Sequence, residues 1–353
     1  MLVQKKNALY WVLFIGCFFF VAESFAETYD MPVQIETVLP DNQKNQSVSY
    51  FDLKMSPSDK QKVTIKVSNV TAEPLKFKVN YSDAKTTSEG NIEYSENENL
   101  KLETPLNYSF KEIVSGPGEL IVPAKSTEEV EFLLSMPEKS YDGSIAGGVE
   151  FLQEINEEEQ GALVTQRSYL VGFKLSETDV KLPIDIDLGK TIVGTKNYKS
   201  AIIVPVNNLV GDYVEELAIQ VEIIDESDQT IVMQSEKKMM RMAPFSTLEF
   251  PLYIEESLLA VGEYGMNVKV TAQDNFSKKW QQGFSVTKKD LELMKENQDL
   301  WNEGNRRASQ KKVFFLILVI TLVTLLIIIL IRINHLRNKQ KKGSGNGKKK
   351  KHK

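Results

Sequence analysis

The chain has 353 residues and a formal net charge of −5, yet it carries only two histidines and one cysteine. All three sit near its ends, at Cys17, His335 and His352, so residues 27–331 contain neither type. That stretch cannot assemble a Ser-His-Asp or Cys-His triad, a His-ligated zinc site or a disulfide. Its own charge of about −16 excludes non-specific attraction to nucleic acid and other polyanions.

At the N-terminus, Lys5 and Lys6 precede an apolar run from Ala8 to Val21, followed by Ser24-Phe25-Ala26. A positive region, an apolar core and small residues at −3 and −1 predict a signal peptide over 1–26, cleaved after Ala26. An uncleaved anchor needs a longer apolar run. Cys17 after Ile15-Gly16 hints at a lipoprotein acceptor, but the apolar run continues past it through Phe18–Phe20.

Next come short strands. Val63, Ile65 and Val67 alternate with polar residues, and after a turn at Asn69–Pro74 so do Leu75, Phe77, Val79 and Tyr81. Val33–Val38, Tyr50–Met55, Leu120–Val122, Val130–Leu134 and Ile145–Phe151 complete the first set, the last opened by the turn Tyr141-Asp142-Gly143. Period-two patterns between turn clusters mean antiparallel strands with one buried face. The acidic stretch Asn156–Gly161 reads as a linker or hairpin tip, and the pattern then resumes. Tyr169–Leu175, Ile184–Leu188, Ala201–Val206, Leu217–Ile223, Leu248–Leu252, Tyr264–Val270 and Phe284–Val286 are the second set. The fold expected is all-β: two tandem immunoglobulin-like β-sandwich domains, over 27–155 and 162–287.

Glycoside hydrolysis needs only two carboxylates, but the conspicuous run Glu157-Glu158-Glu159 is of the kind found in solvated linkers. No calcium loop and no glycine-rich phosphate loop occur. A non-enzymatic protein without metal or cofactor is expected.

From 288 to 312 a juxtamembrane helix is predicted, capped by Asp290, with Leu293, Leu300 and Trp301 near one face. It is either a docking element or a plain stalk. Residues 313–331 are apolar except for two threonines and suffice for one transmembrane helix. The tail, 332–353, has ten Lys or Arg and no acid. This places the tail in the cytoplasm and the sandwiches outside, although Arg306, Arg307, Lys311 and Lys312 lie on the outer flank. The tail from Asn334 is too polar to fold alone and serves either as a stop-transfer signal or as a contact to anionic lipid.

Several segments resemble the WxL-interacting protein family of Gram-positive surface proteins. They are Leu39-Pro40-Asp41-Asn42-Gln43, Tyr50-Phe51-Asp52-Leu53, Gly90-Asn91-Ile92-Glu93-Tyr94, and Met136-Pro137 followed by Tyr141–Gly148. In the second half Met242-Ala243-Pro244, Phe250-Pro251, Gly262-Glu263-Tyr264 and Trp280 are similar too. Two positions depart from the family's usual pattern: Phe245 stands where Asn is common, and Thr86-Thr87-Ser88-Glu89 replaces a segment with an Asn before the glycine turn. The resemblance implies a first domain that binds peptidoglycan and a second that binds WxL-domain surface proteins or host matrix proteins.

Candidate ligand-binding residues are Tyr81, Tyr94 and Tyr108, whose rings suit sugar stacking, and Asp142, Gly143, Gly147 and Gly148 beside them. Alternating Tyr in a strand is more often core, which is the reading favoured for Tyr81, and the glycines are read first as serving a tight turn and close strand approach. Pro244, Phe245 and Trp280 are candidates for a protein partner, with Trp280 alternatively a core plug. The function expected is a surface scaffold or adhesin at the Gram-positive cell membrane. The alternative is a membrane-tethered assembly chaperone that pairs a sandwich edge with exported clients.

Overall fold

The computed structural model describes residues 31–97, 100, 108–154, 166–254 and 259–344. The signal peptide, the acidic stretch Asn156–Gly161 and the last nine residues of the basic tail lie outside them.

The first sandwich contains β1 (Val33–Val38), β2 (Phe51–Lys54), β3 (Lys60–Asn69), β4 (Leu75–Asp83), the short hairpin β5 (Lys85–Thr86) and β6 (Ile92–Glu93), and one helical turn, α1 (Phe110–Ile113). It continues with β7 (Val114–Ser115), β8 (Glu119–Val122), β9 (Thr127–Ser135), β10 (Ile145–Gln153) and β11 (Ser168–Ser176). One sheet has the order β1-β3-β9-β7, and the facing sheet β2-β11-β10-β4-β8. Between them six phenylalanines, Phe51, Phe77, Phe110, Phe132, Phe151 and Phe173, are fully buried. Each contributes on the order of 1.5–3 kcal/mol by leaving water. Phe110 enters this core from α1, capped by Ser109, and its ring packs at a tilt 5.0 Å from Phe173. Gly147 makes the room: a Cβ there would lie 2.2 Å from the Phe110 ring.

Strand β11 corrects the expected domain division. Chain order places Tyr169–Leu175 in the second sandwich, but β11 lies between β10, antiparallel, and β2, parallel. Val171, Phe173 and Leu175 fill the first core. Alternation shows that a strand has one buried face; it does not show which sheet accepts it. The first sandwich therefore ends at Ser176.

The second sandwich contains β12 (Ile186–Leu188), β13 (Ile192–Lys196), β14 (Lys199–Asn208), β15 (Val214–Asp225), β16 (Ile231–Met242), β17 (Thr247–Tyr253), β18 (Gly262–Thr271) and β19 (Ser277–Val286). Strands β12, β13 and β17 all pair with β14, and the other sheet has the order β16-β15-β18-β19. The two sandwiches repeat one device. At the end of β3, Asn69 Nδ2 donates to Glu73 O (2.7 Å) and Val122 O (3.1 Å), while its Oδ1 accepts from Thr71 N (2.8 Å). At the end of β14, Asn208 Nδ2 donates to Asp212 O (2.8 Å) and Ala243 O (2.9 Å), and its Oδ1 accepts from Val210 N (3.3 Å). Each buried amide thus supplies the backbone partners that a strand-to-loop transition would leave unmet.

The chain leaves β19 through α2 (Lys288–Ser344), one continuous helix. The cap is Thr287, not Asp290. Thr287 Oγ1 accepts from Asp290 N (3.2 Å), and Thr287 N donates in return to Asp290 Oδ2 (2.8 Å), a reciprocal capping box. Leu291 packs on the second core and Met294 is buried, whereas Leu293 faces solvent. The side chains of Leu300 and Trp301 lie outside the described set. Phe314–Ile333, 20 residues of mean hydropathy 3.5 and wholly unburied, is long enough to cross a membrane. The helix then continues to Ser344 through residues read from sequence as too polar to fold. Extending an already nucleated helix adds one hydrogen bond per residue fixed, so polarity alone does not stop it.

Candidate functional site

The sandwiches meet at a joint built by the β5–β6 hairpin. Gly90 turns the hairpin at φ +75°, and a Cβ on it would sit 2.4 Å from the Met240 side chain, so the turn lies flat on β16. Arg241 N donates to Gly90 O across the joint (2.8 Å), and Lys237 pairs with Glu89. Behind the turn the Thr86 hydroxyl accepts from Ala243 N (3.0 Å) and bonds to Ser246 Oγ. Ala84, Ala146 and Ala243 are buried together there, with Ile92, Tyr94 and Tyr213 against them. These small side chains let the sheet face of one sandwich approach the loop of the other. A second contact closes the far side. Gly143 adopts φ +91°, with its Cα so close that a Cβ would lie 2.2 Å from Gly211 O, and Ser144 N donates to that same oxygen (2.6 Å).

Two hollows flank this joint. The larger, about 760 Å³, is lined from the first sandwich by Tyr50, Tyr94, Gly172 and Lys174, and from the second by Tyr213, Glu215 and Arg241, with Asp179 on the connecting segment. The Tyr94 and Tyr213 phenol oxygens lie 3.3 Å apart. Burial raises the pKa of both, and it pushes Tyr213 well above the ordinary value because Tyr94 adds to the effect. The Arg241 guanidinium grips Glu215 through two bonds of 2.5 and 2.6 Å. Lys54 and Lys44 both hold Asp179, whose carboxyl they lower to about 2. The Lys174 ammonium stands 5.3 Å over the Tyr213 ring. The smaller hollow, about 450 Å³, lies on the other side and is lined by Tyr108, Tyr141, Asp142, Ala146, Pro244 and Phe245.

The ten residues singled out in the sequence divide accordingly. Tyr94 and Gly143 line the larger hollow; Tyr108, Asp142, Pro244 and Phe245 line the smaller. The Tyr108 ring packs at a tilt 5.9 Å from Tyr141, and Phe245, at φ +49°, lays its ring over Gly211. Both departures from the family pattern, Phe245 and Thr86–Glu89, therefore fall on the joint. Tyr81 is elsewhere: its ring packs edge-on to Phe132, its hydroxyl donates to Pro117 O (2.7 Å), and burial raises it to about 12. Gly147 opens onto Phe110 and Gly148 onto Tyr94. Trp280 packs on the second core under the Lys278 ammonium, far from the joint in the fold. Tyr50, Lys174, Tyr213 and Arg241 also stand at the joint, and no local pattern marks a strand or loop position as facing another domain.

Fold and joint together define a pair of β-sandwiches in contact, carried on one apolar helix of membrane-spanning length. The model of the WxL Interacting Protein peptidoglycan binding domain matches residues 34–153, and that of the WxL Interacting Protein host binding domain matches residues 158–296. The chain belongs to the WxL-interacting protein family, and both of its domain families are binding domains. No curated protein matches it. Among solved structures it is similar to the Pseudomonas aeruginosa CupB2 chaperone (14% identity over 65% of this chain and 96% of that one, TM-score 0.27). It is also similar to the class 5 fimbriae chaperone CfaA (11%, 72% and 99%, TM-score 0.29) and the E. coli chaperone DraB (12%, 67% and 94%, TM-score 0.28).

Proposed function

We propose that this protein is a non-enzymatic scaffold of the Gram-positive cell surface. The signal peptide exports it, the Phe314–Ile333 helix anchors it, and the basic tail stays in the cytoplasm. The first sandwich holds peptidoglycan, and the second holds a protein, either a WxL-domain surface protein or a host matrix protein. The observation that carries this reading is the order of the two domain families on one chain ending in a membrane-length helix. Because α2 docks on the second core through Leu291 and then runs unbroken to Phe314, the second sandwich stands near the membrane. About twenty helical residues at ~1.5 Å each separate the docking point from the span, a stand-off of roughly 30 Å.

Protease treatment of cells stripped of wall by muramidase tests the placement. The sandwiches should be digested and a fragment bearing the tail protected. Digestion of the tail with protection of the sandwiches would reverse the assigned orientation and end this reading.

A further inference from the structure

Both sandwiches contribute side chains to the larger hollow, and Gly172 leaves part of its lining without one. Gly148 of β10 and Gly172 of β11 stand directly opposite each other in register. The two glycines do different work. A Cβ on Gly148 would lie 2.5 Å from Tyr94 O, so its absence lets the Tyr94 segment lie on the sheet. A Cβ on Gly172 would meet Tyr50 at 3.7 Å and the Tyr94 ring at 4.0 Å, ordinary contact distances. Gly172 is thus not required by packing; it leaves an open slot between two tyrosine walls.

Two residues along the same strand face, Lys174 projects over Tyr213. The other cations of the hollow are committed: Lys44 to Asp179, Arg241 to Glu215, Lys181 to Asp274. Among the described residues no carboxylate pairs with Lys174. The slot therefore offers three phenol rings, Tyr50, Tyr94 and Tyr213, and one uncommitted ammonium. Aromatic faces accept the apolar faces of sugar rings, and phenol hydroxyls exchange hydrogen bonds with sugar hydroxyls. An ammonium beside them adds a charge-assisted bond to a carboxylate.

The geometry points to this slot as the seat of a saccharide strand carrying a carboxylate branch, held jointly by both sandwiches. The assignment rests on the proposed peptidoglycan reading and adds to it a location. It also gives the second sandwich, through Tyr213, a share in a ligand that the domain families assign to the first alone.

The test is co-sedimentation of the detergent-solubilised full chain with insoluble peptidoglycan freed of teichoic acid. Three variants are compared with the wild type: Gly172→Leu, which fills the slot, Lys174→Gln, and Tyr213→Leu. A variant of the opposite sheet, Glu131→Gln, is the control. Each slot variant should weaken binding about tenfold or more, while Glu131→Gln leaves it unchanged. Lys174→Gln removes one exposed-side charge without touching the core, so it decides the matter if Gly172→Leu or Tyr213→Leu melts early. Saturable wild-type binding with Lys174→Gln and every well-folded slot variant within twofold of it would overturn this location and leave the peptidoglycan reading standing. Absence of wild-type binding would overturn both.

Discussion

Thr86 and Ser246, 160 residues apart, share a buried hydrogen bond whose direction the surrounding bonds fix. Ser246 Oγ gives its proton to Ala243 O (2.8 Å), so the Thr86 hydroxyl donates to Ser246 while accepting from Ala243 N (3.0 Å). The bonds run from the N–H of Ala243 through two side chains back to its own carbonyl. A hydroxyl donates once and accepts up to twice, so both groups are satisfied without water.

Thr86→Val keeps the shape and removes the oxygen, leaving the Ala243 N–H buried without an acceptor. Such a loss costs about 1–3 kcal/mol. The expected readout is faster hydrogen exchange at the Ala243 amide, together with calorimetric unfolding that separates into two transitions. A single transition unchanged from wild type would show that this bond does not hold the joint together.

Gly90→Ala meets two penalties at once, a φ of +75° and the Met240 side chain 2.4 Å from the added Cβ. A loss of about 1–3 kcal/mol is expected in thermal unfolding. Gly118→Ala, with no atom within 4 Å of its Cβ, should stay within about 0.5 kcal/mol of wild type.

A fragment over residues 31–157, cut between the two family matches, removes β11 and with it Val171, Phe173 and Leu175 from the first core. Three such side chains account for on the order of 5–9 kcal/mol, comparable with the stability of a whole domain. A fragment over residues 31–180 retains them, and also Asp179 between Lys44 and Lys54. Circular dichroism should find the longer fragment folded and the shorter one not.

The joint has a sign-defined pH response. Tyr94 and Tyr213 are both raised from 10.0, chiefly by burial. Above pH 10 the unfolded phenols ionise while the folded ones stay neutral, so the unfolded state binds fewer protons and stability falls as pH rises. Tyr213→Phe should flatten that alkaline slope. Asp179, lowered to about 2 by Lys54 and Lys44, acts in the opposite direction. Its contribution is present above pH 3.8 and lost as pH falls from there toward 2, and Asp179→Asn should remove that acid slope. Denaturation midpoints across pH measure both.

Much of the fold is legible in the residues. Val33–Val38 matches β1, and alternation alone supplies the buried faces of β3, β9 and β18. Other elements leave no local trace. Strand β16 reads Ile-Val-Met-Gln-Ser-Glu-Lys-Lys-Met-Met-Arg-Met, with only Met240 and Met242 buried and register shifts against β15, so its period is broken. The β5–β6 hairpin pairs two residues with two. The candidate site was legible in part: Tyr94, Tyr108, Asp142, Gly143, Pro244 and Phe245 do gather at the joint. What gathers them is Thr86 with Ser246 and Tyr94 with Tyr213, long-range polar contacts that carry no periodicity.

The central claim, a wall-binding surface scaffold, is tested most directly by equilibrium co-sedimentation of the full wild-type chain with teichoic-acid-free peptidoglycan over rising salt. Because the sandwiches are acidic overall, binding through a defined slot should be saturable and change little with salt. Failure to pellet, or binding that vanishes as salt rises, would contradict it.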